Sequence, residues 1–236
     1  MNDLLKVPRT KKGVETLNNI LSAATQLIYE RGYYGANIVD ITQLAGVATG
    51  TFYVYFESKL SLYRYLLLQF GHRIRKEMAI KTAGCKTRRE AERMGLKAWL
   101  EFVHSNPYVY NIIWESLYVD RKLFKGYYET FCRSYLNGLD AAKARGEVRD
   151  IDSEALAYVL MGVSNFIGLK YVMFADQPAD LDRVTDEVMK LLDGGMFTGE
   201  LPESPDVDGQ DKKNLNFRVE VDFDFLGQDD PAQTEE

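Results

Sequence analysis

Residues 37–62 read NIVDITQLAGVATGTFYVYFESKLSL, and the spacing within this stretch decides the fold. Asn37 is a favourable N-cap, and a short helix runs from about Ile38 to Ala45 before Gly46 breaks it. A second short helix covers roughly Thr49 to Tyr55. Ser58 then caps a longer one that continues well past Gln69. Two short helices around a glycine-centred turn make a helix-turn-helix, whose second helix enters the major groove of DNA. Ile38, Ile41, Leu44, Val47, Phe52 and Phe56 are spaced to form the small core between the helices. Thr49, Gly50, Thr51, Tyr53, Val54 and Tyr55 are left facing outward. Hydroxyls reach phosphates or base edges, aromatic rings and Val54 touch thymine methyls, and Gly50 lets the helix end approach the DNA backbone. Gln43 also faces outward. Lys59 opens the next helix, where helix dipole and ammonium both favour a phosphate.

Working outward, the apolar spacing is helical almost throughout residues 14–193. Leu17, Ile20, Leu21, Ala24, Leu27 and Ile28 mark one face of a first helix that stops at Gly32. After Ser58, Gly71 reads as a flexible point in the long helix. The basic run Arg73, Arg75 and Lys76 beyond it reads as a solvated face rather than a second DNA site. Thr87 to Glu90 matches a capping box, and Pro107 suits the first turn of another helix. Phe124, Tyr127, Tyr128, Phe131, Tyr135 and Leu139 stripe a long helix that Gly146 can end. Asp152 caps a helix carrying Leu156, Val159, Leu160, Val163, Phe166 and Ile167. A last one holds Leu181, Val184, Val188, Leu191 and Leu192. The expected fold is all-α, with a helix-turn-helix domain over 1–62, a larger helical domain over 63–197 and an acidic linker and tail over 198–236. In that tail Leu215 to Phe225 alternates apolar and polar residues as one strand would, with no second strand to pair with.

The first of these segments resembles the tetracycline-repressor (TetR) family of bacterial transcription regulators. The resemblance rests on Tyr29-Glu30-Arg31-Gly32-Tyr33, the Asp40-Ile41 pair, Ala45-Gly46-Val47, Gly50-Thr51-Phe52-Tyr53 and Tyr55-Phe56-Glu57-Ser58-Lys59. So many fixed residue types at fixed spacing carry far more weight than a lone helix-turn-helix pattern. The family usually has Thr at the position of Asn37, Ser at that of Ala48 and Ala at that of Thr42. Thr49 can cap the second short helix in place of Ala48, and the Thr42 hydroxyl can bond back to its own helix. The resemblance implies contacts to double-stranded operator DNA from Asn37, Gln43, Thr49, Gly50, Thr51, Tyr53, Tyr55 and Lys59. It also implies a homodimer through the helices at about 153–174 and 180–193, and a cavity for a small effector in the larger domain. Trp99, Phe102, His104, Tyr110, Trp114, Tyr118, Phe131, Tyr135, Asn165 and Phe166 are the candidates to line that cavity. Arginine is sparse on the apolar faces, which disfavours a small, multiply charged effector and favours a hydrophobic or aromatic one, or an acyl chain.

Composition agrees. The 236 residues are 46% hydrophobic and 27% charged, ordinary for a globular protein. The net charge of −6 is uneven: residues 1–81 carry 11 Lys and Arg against 6 Asp and Glu, whereas residues 198–236 carry 3 against 12. The basic excess thus lies where DNA contact needs it. No apolar run approaches the roughly 18 residues of a membrane span, and the N-terminus lacks the apolar core of a signal peptide, so a cytoplasmic protein without membrane partner is expected. Two cysteines argue against a disulfide framework. His72 and His104 stand in no metal-ligand cluster, so neither metal nor cofactor is expected. An enzyme on a helical scaffold is the competing class, but no nucleophile–base order, phosphate loop or metal motif supports it. An interaction adaptor that has lost DNA binding is opposed by the intact Gly50 to Tyr53 run and Lys59.

Overall fold

The computed structural model describes residues 4–194, and within them every regular element is helical. The linker and strand expected in 198–236 lie outside the described residues. Helix α1 (Lys11–Gly35) starts where Thr10 accepts a hydrogen bond from the Gly13 amide at 3.1 Å. Its regular course ends at Gly32, whose φ of 72° lies in the left-handed region that favours glycine. Helix α2 (Ile38–Leu44) is capped by Asn37, which accepts from the Asp40 amide at 2.8 Å. Helix α3 (Thr49–Tyr55) follows the turn at Gly46, and α4 (Lys59–Thr82) begins with a reciprocal cap between Ser58 and Ser61.

Helix α4 runs through Gly71 without interruption, which corrects the flexible point expected there. A mid-helix glycine costs an isolated helix about 1 kcal/mol. Here it lets the Tyr127 ring come so close that an added Cβ would lie 3.2 Å from Tyr127 Cε2. The packing of that ring outweighs the lost propensity.

The larger half adds α5 (Arg88–Ser105), α6 (Tyr108–Val119), α7 (Arg121–Ala144), α8 (Ser153–Gly168) and α9 (Leu181–Gly194). Thr87 caps α5 through the Glu90 amide, but the Glu90 carboxylate returns to the Lys86 amide rather than to Thr87. Asp120 caps α7 and Asp152 caps α8. Helix α4 packs on α5 and α7, α1 on α6, α9 on α5, and α7 on α8. One continuous core runs from Leu17 of α1 to Val188 of α9, and a second cluster of Cys132, Leu139, Ala157, Leu160 and Met161 joins α7 to α8.

The sequence did not signal the π-helical turn Leu169–Met173 that prolongs α8. Just before it, the Ser164 carbonyl accepts from Trp99 Nε1 at 3.1 Å, and the Asn165 carbonyl accepts from the Tyr110 hydroxyl at 3.0 Å. Such outside claims on helix carbonyls compete with the regular ladder. The register then changes, and the Phe174 amide donates to the Leu169 carbonyl at 2.9 Å.

The stretch Ser153–Met173 also corrects the expectation about membrane spans. Its 21 residues hold an 18-residue window of mean hydropathy 1.4, by length and composition long and apolar enough to cross a bilayer. The expectation counted uninterrupted apolar runs, whereas the average tolerates the scattered Ser, Asn and Glu of α8. Only 22% of its most apolar window is buried by its own chain. Tyr158, Val159 and Phe166 stand exposed on one stripe of α8, whereas the stripe of α9 is mostly spent on the core, with Leu191 left outside.

The approach of Tyr110 to Gly168 yields a stability test. A methyl added at Gly168 would overlap the Tyr110 hydroxyl, so Gly168→Ala is expected to destabilise by about 1–3 kcal/mol in urea unfolding. Gly126→Ala, with open space around it in α7, is expected instead to stabilise by about 0.5–1 kcal/mol.

Candidate nucleic-acid interface and effector cavity

The helix-turn-helix is assembled on Phe52, Phe56 and Ile41, all essentially inaccessible. Burying these side chains fixes α3 against α2, and Arg31 of α1 bridges to Asp40 of α2 at 3.1 Å. Thr49, Gly50 and Tyr53 then remain exposed on α3, with Thr51 partly covered and Asn37 and Gln43 exposed at either end of α2. Tyr53 is half exposed, its ring edge-on to Phe52.

Three expectations for this segment change. Tyr55 faces inward: it is buried, and its hydroxyl donates to the Gly13 carbonyl at 3.1 Å. The cause is the segment before α1, where Leu5 is buried and the Lys6 amide donates to the Tyr55 carbonyl at 3.0 Å. Residues without periodicity gave no sign of that strap. Leu44 is exposed because a seven-residue helix places Ile41 and Thr42, not its last residue, toward the core. Thr49 does not cap α3. Ala48 holds the cap position with no side-chain hydrogen bond, while the Thr49 hydroxyl lies 3.3 Å from that of Thr42. The Thr42 hydroxyl bonds back to the Ile38 carbonyl at 3.0 Å, as its type allows.

Lys59 stands at the join between this head and the larger half. Its ammonium donates to the Tyr33 carbonyl at 2.6 Å and lies 4.2 Å from the centroid of the Tyr33 ring. At the other end of the same residue, the Tyr33 amide donates to Glu115 of α6 at 2.6 Å. The left-handed turn at Gly32 opens this nook, since a Cβ there would lie 2.8 Å from Glu115 Oε1. Burial pushes the Glu115 carboxyl up and the Lys59 ammonium down, and the charge of each partly offsets the other's shift. Two more links tie α4 to the same region. The Tyr63 hydroxyl donates to the Ile112 carbonyl at 2.6 Å, and Arg64 donates twice to Asp120 Oδ2 at 3.1 and 2.7 Å.

Further along α4 opens a cavity of about 280 Å³ between α4, α5, α7 and α8. Ile74, Arg75, Met78, Ala79 and Thr82 come from α4; Arg88, Glu92, Gly95 and Trp99 from α5. Tyr127, Tyr128, Phe131 and Tyr135 line it from α7, and Met161, Ser164 and Asn165 from α8. Of the expected lining, Trp99, Phe131, Tyr135 and Asn165 are brought together here. The other six fall elsewhere. Tyr110 is fully buried in the core, and Phe102 and Trp114 pack against it outside the cavity. His104 is exposed on α5, Tyr118 is 80% exposed at the end of α6, and Phe166 is 66% exposed on the outer stripe of α8. Helical spacing finds apolar faces but not which face meets a void. The same limit hid Arg75, read as part of a solvated face, and Arg88, read only within a capping box; both stand in the lining, with guanidinium groups 5.2 Å from the Phe131 ring and 5.4 Å from the Tyr135 ring.

Residues 20–66 match the profile of the family described as bacterial regulatory proteins, tetR family. The uncharacterized HTH-type transcriptional regulator YdgC of Bacillus subtilis is 37% identical over 65 residues, a match that takes in 28% of this chain and only 33% of that protein. The fatty acid metabolism regulator protein of Bacillus subtilis is 25% identical over 186 residues, covering 75% of this chain and 93% of that one. Among solved structures, the transcriptional regulator FadR from Bacillus subtilis in complex with stearoyl-CoA superposes with a TM-score of 0.60 at 22% identity, over 77% of this chain and all of that one. That likeness extends the shared fold well past the helix-turn-helix.

The nook at Gly32 makes Glu115 testable without any ligand. Glu115→Ala leaves the part-buried Tyr33 amide without its acceptor and is expected to cost about 1–3 kcal/mol in urea unfolding. Glu115→Gln keeps an acceptor oxygen and should lose clearly less.

Proposed function

Because the chain is a TetR-family transcriptional regulator, we propose that it is a homodimeric repressor, held on double-stranded operator DNA and released by a hydrophobic or aromatic small molecule or an acyl compound. The observation that carries this reading is one helix with two tasks: α4 starts beside α3 at Lys59 and, about four turns on, forms one wall of the cavity from Ile74. A protein of this kind works beside the bacterial chromosome, in the cytoplasm, and the reading assigns it no reaction.

For the DNA contacts we take the exposed residues of the head: Asn37, Gln43, Thr49, Gly50, Thr51 and Tyr53. Lys59 is already engaged with Tyr33, and in this reading it sets the entry of α4 as well as offering charge to a phosphate. The stripe of Tyr158, Val159 and Phe166 on α8, with Leu191 of α9 beside it in the expected pairing, serves as the seat of a second copy of the chain. One small head reads too few base pairs alone, and two-fold symmetry doubles the site. The acyl alternative draws support from the fatty acid regulators to which the chain is similar, one of them solved with stearoyl-CoA.

Two variants test the reading in solution. Tyr53→Ala is expected to weaken operator binding about tenfold with unchanged melting temperature, in an affinity that falls steeply with salt. Val159→Asp places a charge on an exposed position, so the fold is expected to survive while sedimentation reports monomer and operator affinity falls. Operator binding at full strength by both variants contradicts the proposal.

A further inference from the structure

The cavity holds one positive charge more than the described residues around it balance. Two arginines enter the lining, and they differ. Arg88 Nε donates to Glu92 Oε1 at 2.6 Å, so that pair is neutral as a whole. Arg75 has no such partner: among the described residues no carboxylate pairs with it, its guanidinium lies 5.2 Å from the Phe131 ring, and burial lowers its pKa from the ordinary arginine value. The phenols of Tyr127, Tyr128 and Tyr135 are all pushed up by burial, so none is an anion at neutral pH. A guanidinium keeps its proton in a protein, so neutralisation by proton loss is closed to Arg75. A partly desolvated charge of this kind is relieved by an anion brought to it. Around it Ile74, Met78, Trp99, Phe131 and Met161 supply an apolar wall.

We infer that the effector is an amphipathic monocarboxylate whose head group is held by Arg75, with its apolar part laid against Trp99, Phe131 and Met161. This rests on the reading of the cavity as the effector site and names the ligand class that the site takes. The planar guanidinium matches a carboxylate through two parallel hydrogen bonds. A volume of about 280 Å³ falls just below the roughly 300–1,000 Å³ of most ligand sites, and suits one head group with a short chain rather than a nucleotide-bearing carrier. The position on α4 also matters. Arg75 is one turn beyond Gly71, where Tyr127 grips the helix, so a ligand held by Arg75 acts directly on the element that carries the head.

The test uses the full chain with octanoate, 1-octanol and octanoyl-coenzyme A as probes, read by calorimetry and by tryptophan fluorescence. The parent is expected to bind octanoate about tenfold or more tighter than octanol. R75Q is expected to abolish that preference while octanol binding stays as it was. R75K, which keeps the charge and loses the fork, is expected to retain part of the preference, and it supplies the reading should R75Q not fold. Equal binding of octanoate and octanol by the parent overturns the assignment, as does a preference that R75Q leaves intact. Tighter binding of the thioester than of the acid, unchanged in R75Q, overturns it too, by placing the anion away from Arg75. Operator affinity measured alongside separates the two readings. Arg75-dependent octanoate binding that leaves operator affinity unmoved contradicts the repressor reading and the effector role with it, and sustains only the carboxylate site at Arg75. Release by octanol and octanoate alike does the reverse.

Discussion

Where the Tyr127 ring lies against the backbone of α4 at Gly71, the glycine puts no side chain of its own between the two helices, and an added Cβ would lie 3.2 Å from the ring. The same ring lines the cavity. One aromatic side chain therefore touches both the space for a ligand and the spine of the helix that positions α3. Any larger residue at 71 would separate these surfaces, because packed interiors yield by discrete shifts and not by smooth compression. Helix α4 behaves as a lever because Leu62, Tyr63, Leu66, Leu67, Phe70 and Ile74 bury its whole inner face.

The lever has a second grip at the head. Lys59, the Tyr33 peptide and Glu115 join the end of α1, the start of α4 and the middle of α6 through two short hydrogen bonds. Tyr63 and Arg64 add ties from the next turn of α4 to α6 and to the cap of α7. A shift of α7 at the cavity end would reach α4 through Arg64 and Asp120, and α6 would carry it to α1 through Glu115. Two packed arrangements of such a joint, differing in recognition-helix spacing, are what a dimer on DNA would discriminate.

What the sequence made legible follows from what short-range physics controls. Caps depend on a residue and its third neighbour, so Asn37, Ser58, Thr87, Asp120 and Asp152 act locally, and all but Asp120 are legible in the sequence alone. The left-handed stop at Gly32 and the packing of Phe52 and Phe56 are likewise local. The cavity is not. Trp99 and Phe102 lie on neighbouring faces of one helix, yet only Trp99 lines the void, because α8 rather than sequence spacing decides where the space remains. Arg75 reads as solvated charge because the Phe131 ring it lies against is far off in sequence. Tyr55 is illegible for a related reason: residues 5 and 6 of the unpatterned chain before α1 lie at its backbone, with no periodicity to announce them. The Glu115 nook joins residues 82 apart and had no signal at all.

The central claim is that cavity and head share one free-energy balance through α4. Linkage makes this measurable in both directions: the operator dissociation constant with and without saturating octanoate, and the octanoate dissociation constant with and without saturating operator. The account predicts that each ligand weakens the other by the same factor, roughly 5–150-fold. Octanoate that binds in the cavity with operator affinity unchanged, and operator that leaves octanoate affinity unchanged, would contradict it.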